Sequence, residues 1–126
     1  MDVSQALADL TEISSQIEAA VLFEEGGAVL GSTLGSEDAA RSVAAAAAEL
    51  LARAEAFRSE GAITQLEAST GDGSVFVVRE GGRRIAATTG PAPTVGLVFY
   101  DLKSCLRNAE QAKPRRPRRK KADGEA

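Results

Sequence analysis

The side chains that most often carry out catalysis or hold metals are almost absent from this sequence. It contains no histidine and a single cysteine, Cys105. Histidine is the commonest general base and a common metal ligand, so neither a histidine-based triad nor a standard zinc site can be assembled. No lysine follows a glycine, as the phosphate-binding pattern G-x-x-x-x-G-K-[ST] requires. The sequence therefore predicts no catalytic, cofactor or metal site, and it favours a binding protein over an enzyme.

Three short motifs could still do chemistry, but each has a simpler structural interpretation. Glu24 and Glu25 are neighbours on a predicted strand, where they point to opposite faces and cannot converge as a catalytic pair. Arg83 and Arg84 could reach a partner's phosphate as an arginine finger, although exposed arginines at a strand end are common. The segment GDGS at residues 71–74 lies between two predicted strands, which favours a hairpin turn over a phosphate cradle.

The charges divide the chain into an acidic body and a basic tail. Residues 1–112 hold 8 Lys and Arg against 16 Asp and Glu, a net charge of −8, and residues 113–126 hold 7 against 2, a net charge of +5. The two sum to the −3 of the whole chain. We expect one folded domain over residues 1–110. We expect a disordered basic tail over residues 111–126, because this segment has no large apolar residue to bury.

The tail has two interpretations that the sequence leaves open. It could bind polyanions weakly, such as nucleic acid, an anionic membrane surface or an acidic protein, or it could be a solubilising segment that folds loosely over the acidic body. No aromatic residue lies among its cations, so stacking on bases is not offered. The candidate polyanion-binding residues are Arg115, Arg116, Arg118, Arg119, Lys120 and Lys121.

Hydrophobic spacing in the first half of the chain predicts a helix, a hairpin and a second helix. Apolar residues at steps of three and four predict a helix over residues 3–17. Two short apolar runs divided by Gly26 and Gly27 are typical of a β-hairpin. Ser36, followed by two acids, predicts the N-cap of a helix over residues 37–57.

The second half predicts three strands and a last helix. AITQLEAS mixes polar and apolar residues as an edge strand does, whereas SVFVVRE has four consecutive apolar residues, typical of a strand buried on both faces. RRIAATT supplies a third strand after a Gly-Gly turn, and Thr94 can cap the final helix, with Cys105 on its apolar side as a buried structural thiol. The order α-β-β-α-β-β-β-α predicts an α+β sandwich, a five-stranded antiparallel sheet with helices on both faces.

The middle helix is unusually rich in alanine, with five in a row after Val43. On a helical wheel, the stripe of Val43, Ala47, Leu50, Ala54 and Phe57 is expected to face the sheet. Alanine favours helix by itself, so the run could be filler, but it also lets a second backbone approach closely. We expect the neighbouring stripe and the edge strand that follows to form a symmetric dimer contact. The predicted interface consists of Ala40, Ala44, Ala48, Leu51, Ile63, Gln65 and Glu67.

The element order, together with LFEEGGAVLGST, the alanine-rich helix, SVFVVREGGRRIAATT and TVGLVFYDLKSCL, resembles the roadblock family of dynein light chains and its bacterial relatives. The resemblance covers about residues 3–108. It implies a small dimeric protein whose sheets join across the dimer and whose middle helices pack together. It also implies a regulator or scaffold of small Ras-like GTPases, without catalytic residues of its own.

The resemblance and the missing chemistry together lead to one functional hypothesis. The chain is expected to be a non-enzymatic homodimeric adaptor or regulator of a small Ras-like GTPase, without a cofactor. The alternative is a protein associated with nucleic acid or another polyanion, whose folded domain dimerises two basic tails.

No apolar run approaches the ~20 residues that span a bilayer, no secretory signal is evident, and a lone cysteine suits a reducing compartment. We therefore expect a cytoplasmic protein.

Overall fold

The structure, a computed structural model, describes residues 2–57 and 61–112. The predicted tail, apart from residues 111 and 112 at the end of the last helix, lies outside these ranges. Eight elements follow one another in the predicted order. They are α1 (Val3–Ile13), β1 (Ile17–Glu24), β2 (Val29–Ser32), α2 (Glu37–Phe57), β3 (Gln65–Thr70), β4 (Gly73–Glu80), β5 (Arg83–Thr89) and α3 (Val95–Ala112).

The strands form one antiparallel sheet in the order β2-β1-β5-β4-β3. This arrangement confirms the predicted α+β sandwich. Helices α1 and α3 cover one face of the sheet and α2 covers the other, so each face has its own apolar cluster. The central strands β1, β4 and β5 are apolar on both faces because both faces are covered.

The face under α1 and α3 holds the bulkier core. Leu22, Phe76 and Ile85 from the sheet pack with Leu7 of α1 and Leu102 of α3. The ring of Phe76 meets Phe99 of α3 edge to face, with ring centroids 5.0 Å apart, a favourable aromatic geometry. Cys105 lies in this core, as predicted.

The first helix is shorter than its hydrophobic spacing predicts. The Asp2 carboxylate caps it by accepting a hydrogen bond from the Gln5 N–H at 2.8 Å. The helix ends at Ile13, and Ile17 begins β1, opposite Thr89 of β5. Ile13 and Ile17 are four residues apart, a spacing that fits one face of a helix, so periodicity alone predicts a helix four residues too long. Ile17 is instead buried as the first residue of β1.

The predicted start of α2 is confirmed. The Ser36 hydroxyl accepts a hydrogen bond from the Ala39 N–H at 3.2 Å, and Glu37 and Asp38 occupy the first turn, where the helix dipole favours negative charge. At the other end, the Glu55 carboxylate accepts from the Ile63 N–H at 3.2 Å and from Arg79 of β4 at 2.5 Å. These bonds fix the last turns of α2 to the sheet and to the segment that leads into β3.

Candidate protein–protein interface

Helix α2 lies on its own sheet through its smallest side chains. Ala40, Ala44, Ala47 and Leu51 are buried, with Ala44 fully inaccessible. They pack against Val21, Phe23, Val77 and Ala86, whose side chains rise from the sheet on this face. The sheet therefore supplies the bulk of this core, and the alanines let the helix backbone lie close above it.

This orientation corrects the predicted wheel. Ala40, Ala44 and Leu51, predicted to face a partner, are covered by the chain's own sheet, and Ala48 is half-buried beside them. Phe57, predicted to face the sheet, is 87% exposed. The prediction turned the stripe with the larger side chains toward the sheet. The structure places mostly alanines there, because Phe23 and its neighbours on the sheet need small partners.

One side of α2 is left apolar and open. We call it the open flank: Ala39, Val43, Ala46, Leu50 and Phe57, of which Val43 and Leu50 are half-buried and the others exposed. Their spacing of four, three, four and seven residues is that of a helix–helix packing seam. Arg53 occupies the remaining seam position, and its guanidinium pairs with Glu49 at 2.9 Å.

The open flank faces the β3 side of the sheet. The opposite flank of α2 carries Glu37 and Arg41, which line a cavity of about 470 Å³ together with β2. Since β2 and β3 lie at opposite edges of the sheet, the flank turned away from β2 is turned toward β3.

Strand β3 is an edge strand, as the sequence predicts, and among the described strands it pairs with β4 alone. Its register places Leu66 and Ala68 opposite Val77 and Val75, on the face that α2 covers, where Leu66 is half-buried. Because strand side chains alternate, Gln65 and Glu67, two of the predicted interface residues, face the other side. Ile63, also predicted, is half-buried and packs against the α2-side core.

The open flank and the β3 edge form one candidate interface. An uncovered apolar strip of sheet, including Leu66, Ala68 and Val75, lies between the helix seam and the free strand edge. The interface predicted from the sequence drew on α2 and on the segment that forms β3, and it remains a prediction. The candidate interface described here uses other residues of α2, and of these the sequence-based wheel had assigned Val43, Leu50 and Phe57 to the sheet contact.

Residues considered for chemistry are not brought together as a catalytic site in the described part of the chain. Glu24 and Glu25 are exposed at the end of β1. The Cys105 thiol donates to the Ala6 carbonyl at 3.4 Å, and burial raises its pKa to about 12, aided by the charge of Asp9. Arg84, expected to be exposed, is buried. Its side chain is only 7% exposed and lies on the face of the sheet that α2 covers.

No cluster of acids and cysteine among the described residues could hold a metal ion. No helix among them is long and apolar enough to cross a bilayer.

No family model and no curated protein matches this sequence. Solved structures do match. The Roadblock/LC7 domain from Streptomyces avermitilis aligns with a TM-score of 0.77 at 20% identity, covering 89% of this chain and 98% of that one. Myxococcus xanthus MglB aligns with a TM-score of 0.72 at 14% identity, covering 88% and 94%. The gliding protein MglB from Thermus thermophilus aligns with a TM-score of 0.72 at 14% identity, covering 86% of each chain.

These likenesses cover 86% to 89% of this chain. At such low identities they show a shared fold rather than a shared partner. The chain therefore has the Roadblock/LC7 fold, which confirms the architecture that its sequence resembles.

Proposed function

We propose that this protein is a homodimeric adaptor or regulator of a small Ras-like GTPase and has no enzymatic activity of its own. The observation that carries the dimer is the candidate interface, in which the open flank of α2 adjoins a strand edge that pairs with no further strand among the described residues. The GTPase is the partner that the resemblance to bacterial roadblock proteins implies, and the Roadblock/LC7 fold supports that interpretation.

The geometry of the interface suits two copies related by a twofold axis. An edge strand exposes a row of unpaired backbone N–H and C=O groups, and two antiparallel copies of β3 would satisfy them. Their pairing would bring the two open flanks toward each other over the joined sheet. Ala39 and Ala46 would then permit close helix approach, while Leu50 and Phe57 would supply buried apolar area.

The dimer is tested by Ala46→Glu, which places a carboxylate in the centre of the open flank. Ala46 is exposed in the protomer, so the fold should tolerate the change, whereas a dimer would bury two like charges. Ala45→Glu is the matched control, because Ala45 is also exposed but lies on the charged side of α2. Light scattering should give twice the 13.0 kDa chain mass for the wild type and A45E, and the single mass for A46E. A monomeric wild type would remove the dimer.

The partner is tested separately, with the full chain. Small Ras-like GTPases from the same cell, loaded with GDP or a non-hydrolysable GTP analogue, are passed over the immobilised protein, and GTP hydrolysis is followed with and without it. We expect one nucleotide state to be retained preferentially, with a changed hydrolysis rate. A stable dimer that retains no GTPase in either state would reject the regulator and keep the dimer.

The alternative function rests on the separation of charge between the acidic body and the basic tail. If the folded domain only dimerises two tails, nucleic acid should be retained by the full chain and lost when residues 113–126 are removed. A GTPase partner should instead remain bound to the body.

We also propose a cytoplasmic location, which the lone buried thiol suits.

A further inference from the structure

A groove between α1 and α3 opens on the side of the molecule opposite α2. The two helices run antiparallel, because the Cys105 thiol of α3 meets the Ala6 carbonyl of α1, while the Thr94 N–H at the start of α3 donates to Gln16 Oε1, beyond the end of α1, at 2.6 Å. The cavity between the helices has a volume of about 210 Å³. Its lining includes Asp9, Ile13, Tyr100, Asp101 and Ser104.

Exposed apolar side chains gather at one end of this groove. Five large apolar residues are exposed in the described part of the chain, and four of them lie where α1 ends and α3 begins: Ile13, Val95, Leu97 and Tyr100. Ile13 is 65% exposed and Tyr100 is 67% exposed, and both line the cavity. The molecule therefore has a second apolar surface, which the candidate interface on α2 and β3 does not use.

The groove also contains a buried carboxylate. Asp101 lines the cavity although it is only 8% exposed, and it forms no ion pair with a lysine or arginine in the ranges that the structure describes. Burial raises the pKa of Asp101, and the Ser14 hydroxyl lowers it by less. By normal geometry, Ser14 Oγ has no hydrogen-bond partner among the described residues, so it compensates the carboxylate only weakly. A buried carboxylate in this condition favours an incoming cation.

Asp9 adds a second negative charge on the α1 wall of the groove. Its charge contributes, after burial, to the raised pKa of Cys105, so the carboxylate lies toward α3. Helix α1 has no lysine or arginine, since the first in the chain is Arg41. The two cations of α3, Lys103 and Arg107, line a different cavity, which α3 forms with β4. The lining of the groove thus holds two carboxylates and no cation, a net charge of −2.

We propose that the α1–α3 groove is the docking site of the chain's own basic tail, with the guanidinium of Arg118 or Arg119 held by Asp101 against the ring of Tyr100. The charges are complementary, because residues 113–121 carry seven cations and no acid. Arginine suits this lining better than lysine. It pairs with a carboxylate through two hydrogen bonds and stacks on an aromatic face, while its aliphatic stem can lie on Ile13.

The tail begins within reach of the groove. Helix α3 ends at Ala112, and Pro114 opposes its continuation. Asp101 lies about 17 Å back along the helix, at a rise of about 1.5 Å per residue. Six extended residues span about 20 Å, so a chain that turns back after Ala112 brings Arg118 and Arg119 to Asp101. Because the tail is tethered, its effective concentration at the groove is far higher than that of a free segment.

The inference depends on neither the GTPase nor the dimer. It is tested by paramagnetic NMR on the full chain, with a nitroxide attached at Ala122→Cys, just after the cations of the tail. Cys105 is buried and should stay unlabelled, which the wild type treated with the same reagent checks. We expect the nitroxide to broaden the amide signals of Ile13 and Tyr100 far more than that of Ala45, which is exposed on α2 at the other face.

Two variants of the folded body test the contact with Asp101. Asp101→Asn should lower the docking equilibrium constant, read from the broadening at Ile13 and Tyr100, about tenfold, the effect of one lost charge-assisted hydrogen bond. Asp72→Asn removes the same charge at the exposed turn between β3 and β4, and it should leave the constant within about twofold. Equal effects of the two variants would overturn the assignment to Asp101.

Two variants of the tail test the position and leave the folded body unchanged, so they decide the matter even if Asp101→Asn folds poorly. The double variant Arg118→Gln, Arg119→Gln should release the tail from the groove. Arg115→Gln, Arg116→Gln has the same net charge and should weaken docking less. Equal losses would show a general attraction between the tail and the acidic body, and they would overturn the proposal, as would broadening spread evenly over both faces of the molecule.

A mixed sample identifies the copy that supplies the tail. Isotope-labelled chains without a nitroxide are combined with unlabelled chains that carry it, and the Ile13 and Tyr100 signals are observed. We expect little broadening in the mixture, because each groove holds the tail of its own chain. Broadening as strong as in the singly prepared protein would show that a second copy supplies the tail, and it would overturn the proposed occupant.

Discussion

At the scale of single residues, size decides how α2 is used. Ala44 is fully buried and Ala45 and Ala46 are exposed, although the sequence presents them as an undivided run. A run of identical residues carries no periodic signal of its own. Only the larger flanking residues Val43, Leu50, Leu51 and Phe57 could orient the wheel, and of these Leu51 alone is buried. The alanines therefore divide into two groups, since those on one side fit the sheet and those on the open flank would leave room for the proposed partner copy.

Ala44→Glu should destabilise the protomer. The new carboxylate would lie under α2 in a fully buried position among the apolar side chains of Val21, Val77 and Ala86. An unpaired buried charge costs roughly 3–5 kcal/mol, which is a large part of the stability of a small domain. Chemical denaturation should show this loss, and Ala45→Glu should stay within about 0.5 kcal/mol of the wild type. Equal stability of the two variants would place Ala44 on the surface.

Cys105 should react slowly while the protein is folded. Its pKa is raised to about 12, first by burial and then by the charge of Asp9, so almost no thiolate is present at pH 8.5. Alkylation by iodoacetamide should be far slower in the native protein than in guanidinium chloride. The raised pKa also means that the folded state favours the neutral thiol. The stabilisation it contributes is complete below the ordinary thiol pKa near 9 and is lost as the pH rises toward 12. Rapid alkylation of the native protein would contradict the burial.

At the scale of elements, the sequence predicted the order and types of all eight, because helix caps, glycine turns and hydrophobic periods agree with one another. It failed where two periods coincide. Ile13 and Ile17 fit one helical face, yet Ile17 is the first residue of β1. It also failed at Arg84, because a strand-end arginine is usually exposed, whereas Arg84 is buried between its cross-strand neighbours Phe23 and Arg79. Both misses depend on contacts between elements, which a single element's pattern does not contain.

The β3–β4 hairpin provides a matched pair of glycines for a test. A Cβ atom on Gly73 would lie 2.2 Å from the Thr89 carbonyl oxygen of β5, whereas one on Gly71 would meet nothing within 4 Å. Gly73→Ala must therefore push β4 away from β5, at a cost of about 1–3 kcal/mol. Gly71→Ala should change the free energy of unfolding by less than about 0.5 kcal/mol. Thermal or denaturant unfolding of the two variants measures the difference, and equal values would mean that the strand end yields freely.

At the scale of the whole molecule, the fold was more predictable than the site. The sandwich follows from element order and from strands that are apolar on both faces. The candidate interface depends on which side of α2 stays exposed when the helix packs on the sheet. The volumes of Phe23 and its neighbours determine that side.

Removing residues 113–126, the basic tail, should leave the fold and the dimer intact, because the described members of both core clusters and of the candidate interface lie within residues 2–112. Circular dichroism and light scattering should not distinguish the shortened chain from the full one. Retention on a polyanion such as heparin should fall sharply, and for the full chain it should weaken steeply with added salt, since seven cations release bound counterions. The shortened chain should show little salt dependence because its body carries excess negative charge. A monomeric or unfolded truncation would give the tail a structural role, and retention unchanged by truncation would assign polyanion binding to the folded body.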